Sequence, residues 1–162
     1  MEKSTIRAYY GTGAGKSSAA LGYALRGASE GRLVYIIQFM KAEMNDDYLR
    51  KLEPEIKVFR FERTKDSFED LPADKRDEEI QNMKNGLNFA RKVISTGETD
   101  LLILDEVLGL IDENIISDAE LAGVLSPTVL HTDIILTGTN ITPAIEKKAD
   151  FVYRITEEKG DH

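Results

Sequence analysis

A glycine-rich stretch at residues 11–18, which reads GTGAGKSS, constrains the fold of this chain more than any other feature. It follows an apolar run at residues 6–10 and precedes an alanine-rich stretch, so the pattern predicts a strand, a tight turn and a helix. Alternate glycines let the backbone curl and direct successive N–H groups into one concavity, to which the helix N-terminus adds positive charge. The stretch therefore predicts a phosphate-binding loop. The alternative is a glycine-rich turn that caps a helix beside a solvated lysine.

Residues of this loop have separable predicted roles. The ammonium group of Lys16 is expected on the outer phosphates, and the hydroxyl of Ser17 is expected to bind Mg²⁺. The loop departs from the usual G-x-x-x-x-G-K-[ST] pattern, because Tyr10 stands where that pattern has its first glycine. The residues predicted to bind the nucleotide are Gly11, Thr12, Gly13, Ala14, Gly15, Lys16, Ser17 and Ser18.

A second motif lies far downstream, at residues 101–106, where the sequence LLILDE joins four aliphatic residues to two carboxylates. An unbroken apolar run is typical of a buried parallel strand, and ligands bind at the carboxyl ends of such strands. Asp105 and Glu106 are therefore candidates to hold a metal ion or its water. The alternative is a core strand that ends in a solvated acidic turn. The two motifs together predict a site for a nucleotide with Mg²⁺.

The rest of the chain repeats the pattern of strands alternating with helices. A long helical stripe at residues 74–95 and a capping box at Ser117 are among the helix signals. This alternation predicts one domain over residues 1–162, with an α/β, three-layer, P-loop NTPase-like fold and a mostly parallel sheet of about six strands. The predicted strands are 6–10, 33–39, 56–61, 101–104, 133–136 and 151–155.

Composition narrows the classes of partner. The 162 residues carry 29 acidic and 21 basic side chains, and the net charge of −8 argues against nucleic acid or an anionic membrane as the main partner. There is no cysteine, which excludes disulfides, thiolate metal sites and a cysteine nucleophile. No signal peptide or membrane span is recognised, so a cytoplasmic location is expected.

The order of the motifs resembles the ATP:corrinoid adenosyltransferases of the P-loop type. The resemblance runs through nearly the whole chain. Its elements are the loop and helix start at residues 11–20, Arg26, the QFMK element at 38–41, the aliphatic run and acids at 102–106, the LTGTN turn at 136–140, and Ala149 with Asp150.

The resemblance implies transfer of the 5′-deoxyadenosyl group of ATP to cobalt(I) of a corrinoid, with release of triphosphate. Lys16, Arg26, the loop amides and Mg²⁺ would neutralise the leaving group. Ser17 and Glu106 would bind Mg²⁺, with Asp105 as a direct or water-mediated partner. The nucleotide-contacting set then also includes Gln38 and Asn140, although Gln38 could equally satisfy a strand end.

The resemblance also implies a surface for the corrinoid and further partners. Phe39, Met40 and the loop at residues 62–73 are candidates for that surface, and Phe68 would displace the lower axial ligand of cobalt. The alternative for Phe68 is an apolar anchor that pins a surface loop. An electron donor, either reduced flavin or a flavoprotein, and a homodimer are implied as well.

The chain differs from the family pattern at three points. Ala14 stands where the family usually has lysine, Thr139 stands where it usually has arginine, and no tryptophan is present. Two other functions therefore stay open at this stage: a diverged P-loop ATPase or kinase, in which Glu106 would position water, and a nucleotide-regulated corrinoid-binding protein without turnover.

Overall fold

The computed structural model describes residues 4–39, 51–61, 70–127 and 130–160. Strands and helices alternate through these ranges, as the apolar runs predict. The elements are β1 (Ile6–Tyr10), α1 (Lys16–Ser29), β2 (Val34–Gln38), β3 (Ile56–Arg60), α2 (Ala73–Thr96), β4 (Leu101–Asp105), α3 (Val107–Asp112), α4 (Asp118–Val124), β5 (Asp133–Gly138), α5 (Pro143–Lys148) and β6 (Phe151–Arg154).

The six strands form one sheet in the order β3-β2-β4-β5-β1-β6, and every neighbouring pair is parallel. This confirms the predicted α/β class and number of strands. All carboxyl ends meet at one edge, where Gln38 is level with Asp105 and Tyr10 is level with Gly138. Strand β5 alone separates the glycine-rich loop after β1 from the acidic residues at the end of β4.

Helices cover both faces of the sheet and make three layers. One face packs against α1, where the small side chains of Ala20 and Ala24 let the helix approach strands β2, β4 and β5 closely. The other face packs against the remaining helices through a larger core that includes Met83 of α2 and Leu108 of α3. Burial on both faces explains why β2 and β4 are apolar without alternation.

Local signals predict the element boundaries to within a few residues. The helix predicted over 74–95 spans Ala73–Thr96, and the capping box at Ser117 is present with both of its hydrogen bonds to Glu120. Helix α3 is absent from the sequence prediction, because six residues are too few to show a periodic stripe. No helix in the described ranges combines the length and the apolar character needed to span a membrane.

Candidate nucleotide-binding site

The glycine-rich loop joins β1 to α1 at the carboxyl edge of the sheet. Gly11 and Gly15 have φ angles of 129° and 108°, a region in which side chains with a Cβ are strained. Gly15 is the residue before the first turn of α1, which begins at Lys16. The first amides of a helix have no partner within the helix, so this end of α1 is suited to donate to an anion.

Two glycine amides of the loop are used within the protein. The amide of Gly11 donates to the carbonyl oxygens of Gly138 and Thr139, at 3.2 and 3.0 Å, and the amide of Gly13 donates to the carbonyl oxygen of Ile155 at 3.0 Å. The expectation that successive glycine amides all point into the concavity is therefore wrong for these two residues. Their N–H groups fix the loop to the ends of β5 and β6.

Close approach of the C-terminal segment is a second reason for these glycines. A Cβ at Gly11 would collide with the carbonyl oxygen of Ile155. A Cβ at Gly13 would lie 3.0 Å from the carbonyl carbon of Thr156 and 3.1 Å from the nitrogen of Glu157. Both glycines are buried, whereas Thr12 and the residues that follow at 14–15 are exposed. The backbone of the segment after β6 therefore packs directly against the loop. This contact could not be predicted from the sequence, because it is made by backbone atoms and no side-chain pattern indicates it.

The side chain of Lys16 spans the loop. Its Nζ donates to the carbonyl oxygen of Gly11 at 2.8 Å and lies 3.5 Å from Oγ1 of Thr139. The ammonium group is thus held at the loop, between β1 and β5, which is where the outer phosphates are expected. These neutral acceptors are weaker partners than an oxyanion, so a bound phosphate can replace them at little cost.

A chain of hydrogen bonds joins the loop helix to the acidic motif. Oγ of Ser17 donates to Oδ1 of Asp105 at 2.9 Å, and Oγ1 of Thr137 donates to the same oxygen at 2.8 Å. The amide of Glu106 donates to Oγ1 of Thr137 at 2.8 Å. The structure therefore brings together Ser17, Asp105 and Glu106, as the sequence predicts. Thr137 is a further member, which a polar residue at the end of an apolar strand could have indicated.

Glu106 has a left-handed backbone, with φ 64° and ψ 19°, and precedes the first residue of α3. This conformation is uncommon for a residue with a Cβ, and such strain is concentrated at functional sites. The chain turns sharply at Glu106, between the end of β4 at Asp105 and the start of α3 at Val107. Two consecutive carboxylates therefore lie at the carboxyl end of one strand. Asp105 is buried and the side chain of Glu106 is half-buried.

Gln38 lies at the carboxyl end of β2, beside Asp105 in the register of the sheet. Its side chain is 7% exposed, and its buried Oε1 has no hydrogen-bond partner within the described part of the chain. A buried amide oxygen without a partner costs about 1–3 kcal/mol, so a ligand or water is expected to satisfy it. The structure therefore places Gln38 at the same sheet edge as the acids, where the sequence analysis expected a ligand contact.

Other predicted residues lie in different places. Arg26 is in the last turn of α1, about 15 Å of helix rise from Lys16, so the expected contact of Arg26 with the triphosphate does not fit its position. Asn140 is at the correct edge, where its amide donates to Oδ2 of Asp112 at 3.1 Å. Phe39, expected at a corrinoid surface, is fully buried, and its ring stacks on that of Phe61. Met40 and Phe68 lie outside the described residues.

The oxygen donors at this edge suit a hard divalent ion. Hydroxyl and carboxylate oxygens are the ligands that Mg²⁺ prefers, and Mg²⁺ usually keeps several waters and binds substrate phosphates besides one or two carboxylates. Among the described residues, no group of three or more histidine, aspartate or glutamate side chains converges as a metal site. The donor set therefore fits an ion that arrives with a polyphosphate better than an ion bound by protein alone.

The fold and this site define the chain as a P-loop protein of the nucleotide-binding type. Solved structures agree with that class: a KaiC-like protein, PH0186, of Pyrococcus horikoshii OT3 superposes with a TM-score of 0.58 at 19% identity, over 96% of this chain and 74% of the other. ATPases 2 and 3 of EssC from Geobacillus thermodenitrificans superpose with a TM-score of 0.51 at 18% identity, over 97% of this chain and 33% of theirs. At such identities the likeness shows the fold alone.

The family model described as ATP:corrinoid adenosyltransferase BtuR/CobO/CobP matches residues 2–162, and the chain belongs to that family. The corrinoid adenosyltransferase of Escherichia coli K12 is 23% identical over 158 residues, which cover 98% of this chain and 79% of that protein. Corrinoid adenosyltransferase CobA of Salmonella typhimurium LT2 is 24% identical over 158 residues, which again cover 98% of this chain and 79% of that protein. These matches support the resemblance drawn from the motifs and favour neither alternative function.

Proposed function

We propose that this chain binds ATP with Mg²⁺ at the loop of residues 11–18 and transfers the 5′-deoxyadenosyl group to cobalt(I) of a corrinoid. The observation that carries the proposal is the 2.9 Å contact between Ser17 of the loop helix and Asp105 of the downstream motif. It joins the two motifs from which a polyphosphate site is predicted, in a chain that belongs to the ATP:corrinoid adenosyltransferase family.

The reaction forms a cobalt–carbon bond and breaks the C5′–O5′ bond of ATP. Cobalt(I) supplies the electron pair for the new bond, and the pair of the broken bond leaves with triphosphate. No proton needs to move, so the protein needs no general base. Its tasks are to neutralise charge that grows on the triphosphate, to exclude water and to align the two substrates.

Residues of the described site divide these tasks. Lys16 and the first amides of α1 stabilise negative charge on the leaving triphosphate. Ser17 and Glu106 would hold Mg²⁺, with Asp105 as a direct or water-mediated partner, and the ion supplies further charge neutralisation at the phosphates. Thr137 acts through Asp105, because its hydroxyl holds the carboxylate oxygen that Ser17 also contacts.

Gln38 and Asn140 complete the proposed nucleotide or corrinoid contacts. The orphan Oε1 of Gln38 supports a ligand at the end of β2. The proposed role of Phe68 is to displace the lower axial ligand of cobalt, which makes reduction to cobalt(I) easier. The proposal further includes reduced flavin or a flavoprotein as electron donor, a homodimer, a cytoplasmic location and a place in cobalamin biosynthesis.

The test is an anaerobic assay with ATP, Mg²⁺ and chemically reduced cobalamin, in which triphosphate and adenosylcobalamin are measured together. Equal amounts of both products are expected. Phosphate or ADP as the product would instead indicate a hydrolase or kinase, and tight binding without any product would indicate a binding protein. Either result would contradict the proposed transfer.

Matched serine variants localise the chemistry. Ser17→Ala removes the hydroxyl predicted to bind Mg²⁺, whereas Ser29→Ala removes a hydroxyl that donates to the carbonyl oxygen of Arg26 at the far end of the same helix. We expect Ser17→Ala to raise the Mg²⁺ concentration needed for half-maximal rate, while Ser29→Ala leaves it unchanged. Equal behaviour of the two variants would remove Ser17 from the metal site.

A further inference from the structure

Among the residues that the structure describes, strand β6 forms one edge of the sheet and pairs with β1 alone. Edge strands expose unpaired backbone groups, and proteins commonly protect them with charged side chains. The opposite edge strand, β3, follows this rule, because Lys57 and Arg60 are both exposed there. Strand β6 exposes one charged residue, Arg154, but also two aromatic residues, Phe151 and Tyr153, which are 42% and 41% exposed.

The two exposed rings of β6 are held in a fixed arrangement. Their planes are 7° from parallel, with centroids 6.5 Å apart. Tyr153 stacks on Tyr9 at 5.1 Å and its hydroxyl accepts from Nη1 of Arg7 at 3.2 Å, while the guanidinium of Arg7 lies 4.3 Å from the centre of the Phe151 ring. An ordered aromatic surface beside a free backbone edge is typical of an interface.

The backbone of β6 shows which groups face outward. The amide of Ile155 donates to the carbonyl oxygen of Tyr10 in β1, at 2.7 Å, and Ala8 is level with Val152. In this parallel register the N–H and C=O groups of Phe151 and Tyr153 bond inward to β1, so those of Val152 and Arg154 face the free side. Val152, between the two exposed aromatic residues, therefore has a backbone that is available for pairing.

We propose that β6 pairs antiparallel with β6 of a second copy of this chain, about a two-fold axis at Val152. In this register Phe151 is opposite Tyr153 of the second copy, and the reverse pair forms on the other side of the axis. The surface is self-complementary, as an interface between identical subunits requires. The two Val152 residues exchange two backbone hydrogen bonds at the axis, and the aromatic pairs on either side lie at non-hydrogen-bonded positions, where side chains are closer and cross-strand aromatic pairs stabilise a sheet.

Charge selects this register from its neighbours. On the face of the sheet opposite the aromatic rings, Arg154 is opposite Asp150 of the second copy, which gives two pairs of opposite charge. If the two-fold axis lay at residue 151, Arg154 would be opposite Lys148 of the second copy. If the axis lay at residue 153, Arg154 would be opposite Val152 and would have no charged partner in that pair. Like charges directly opposite each other are unfavourable, so the Val152 register is preferred. This inference rests on the homodimer in the proposed function and assigns it a surface.

Cysteine cross-linking tests the register, because the chain has no cysteine. At a hydrogen-bonded antiparallel pair such as the two Val152 residues, Cα atoms lie about 5.5 Å apart, within the range that a disulfide spans. We therefore expect Val152→Cys to form a disulfide-linked dimer on mild oxidation, about tenfold or more faster than Leu25→Cys, because pairing raises the effective concentration. Leu25 is the matched control, 45% exposed on α1. Equal rates would indicate random collision and overturn the proposal.

Sedimentation measures the same surface without oxidation. We expect dimers for the native chain and for Leu25→Lys, and monomers for Phe151→Lys, with unchanged circular dichroism for all three. A native chain that stays monomeric at every concentration tested would overturn the proposal, as would a dimer that persists in Phe151→Lys. Neither result depends on adenosyl transfer, so the assay of products separates a wrong interface from a wrong function.

Discussion

Oγ of Ser17 donates a hydrogen bond to Oδ1 of Asp105, although the two residues are 88 positions apart in the chain. The contact joins the first turn of α1 to the end of β4 and so defines the centre of the site. Asp105 receives a second hydrogen bond from Thr137 of β5, between β4 and β1. Hydrogen bonds to this one carboxylate oxygen therefore connect α1, β4 and β5. Substitutions of Asp105 can separate the structural role of the oxygen from the chemical role of the negative charge.

We predict that Asp105→Asn and Asp105→Ala differ in stability but not in activity. The amide oxygen of asparagine can still accept from Ser17 and Thr137, whereas alanine leaves both hydroxyls without this acceptor, at a cost of about 1–3 kcal/mol. Both variants lose the charge that supports Mg²⁺, so both should lose Mg²⁺-dependent transfer. Urea unfolding and a Mg²⁺ titration of the rate check the two effects. Native activity of Asp105→Asn would contradict the metal role.

Lys16→Ala should lower ATP affinity by about 10- to 100-fold, the value of a lost charge-assisted hydrogen bond of about 1.5–3 kcal/mol. Calorimetric titration with ATP and Mg²⁺ measures the change. Lys147→Ala is the control, since this lysine lies in the last turn of α5. If both variants bound ATP alike, the loop assignment would be wrong.

Alanine at Gly11 and at Gly22 should change stability in opposite directions. At Gly11 the left-handed backbone and the collision with Ile155 should cost about 1–3 kcal/mol and weaken ATP binding. At Gly22, within α1, a Cβ meets no atom within 4 Å, so alanine should stabilise the protein by about 0.5–1 kcal/mol. Thermal unfolding of both variants tests this. A Gly11→Ala protein as stable as the native one would show that the C-terminal segment does not brace the loop.

Thr139→Arg should improve the enzyme. Thr139 is exposed, and its Oγ1 lies 3.5 Å from Nζ of Lys16, so an arginine there could reach a phosphate at the loop. A restored charge-assisted contact predicts about a tenfold rise in kcat/KM for ATP. Ser95→Arg adds the same charge at the end of α2 and should have no effect. An equal gain from both variants would indicate general electrostatics rather than a specific contact.

Alkaline pH should destabilise the fold through Tyr35. Burial, and then the nearby carboxylate of Glu98, raise the pKa of the Tyr35 hydroxyl above its usual value of 10. The unfolded chain therefore loses this proton first, and the free energy of unfolding falls as pH rises above about 10. Tyr35→Phe should reduce that fall when urea midpoints are compared at pH 9 and above pH 10. The same slope in both proteins would exclude this residue as a cause.

Much of the fold and part of the site follow from local sequence. Apolar runs predict the strands, most clearly β2, β4 and β5, which are buried on both faces, and the capping box at Ser117 predicts the start of α4. The loop, Lys16 and Ser17 are recognisable because a predicted phosphate site uses those residue types at short spacing, and Asp105 is recognisable because it ends an apolar run. The place of Arg26 does not follow from local sequence, since a helix of 14 residues carries Lys16 and Arg26 toward opposite edges of the sheet.

The sequence by itself determined the family, the parallel α/β class and the residues that can bear the chemistry, because periodicity and short motifs depend on neighbours in the chain. Only the tertiary structure decided which glycine amides are used by the protein, that Thr137 supports Asp105, and that β6 is a free aromatic edge. These features depend on the order of strands in the sheet. That order arises from packing between segments far apart in sequence, which no local pattern encodes.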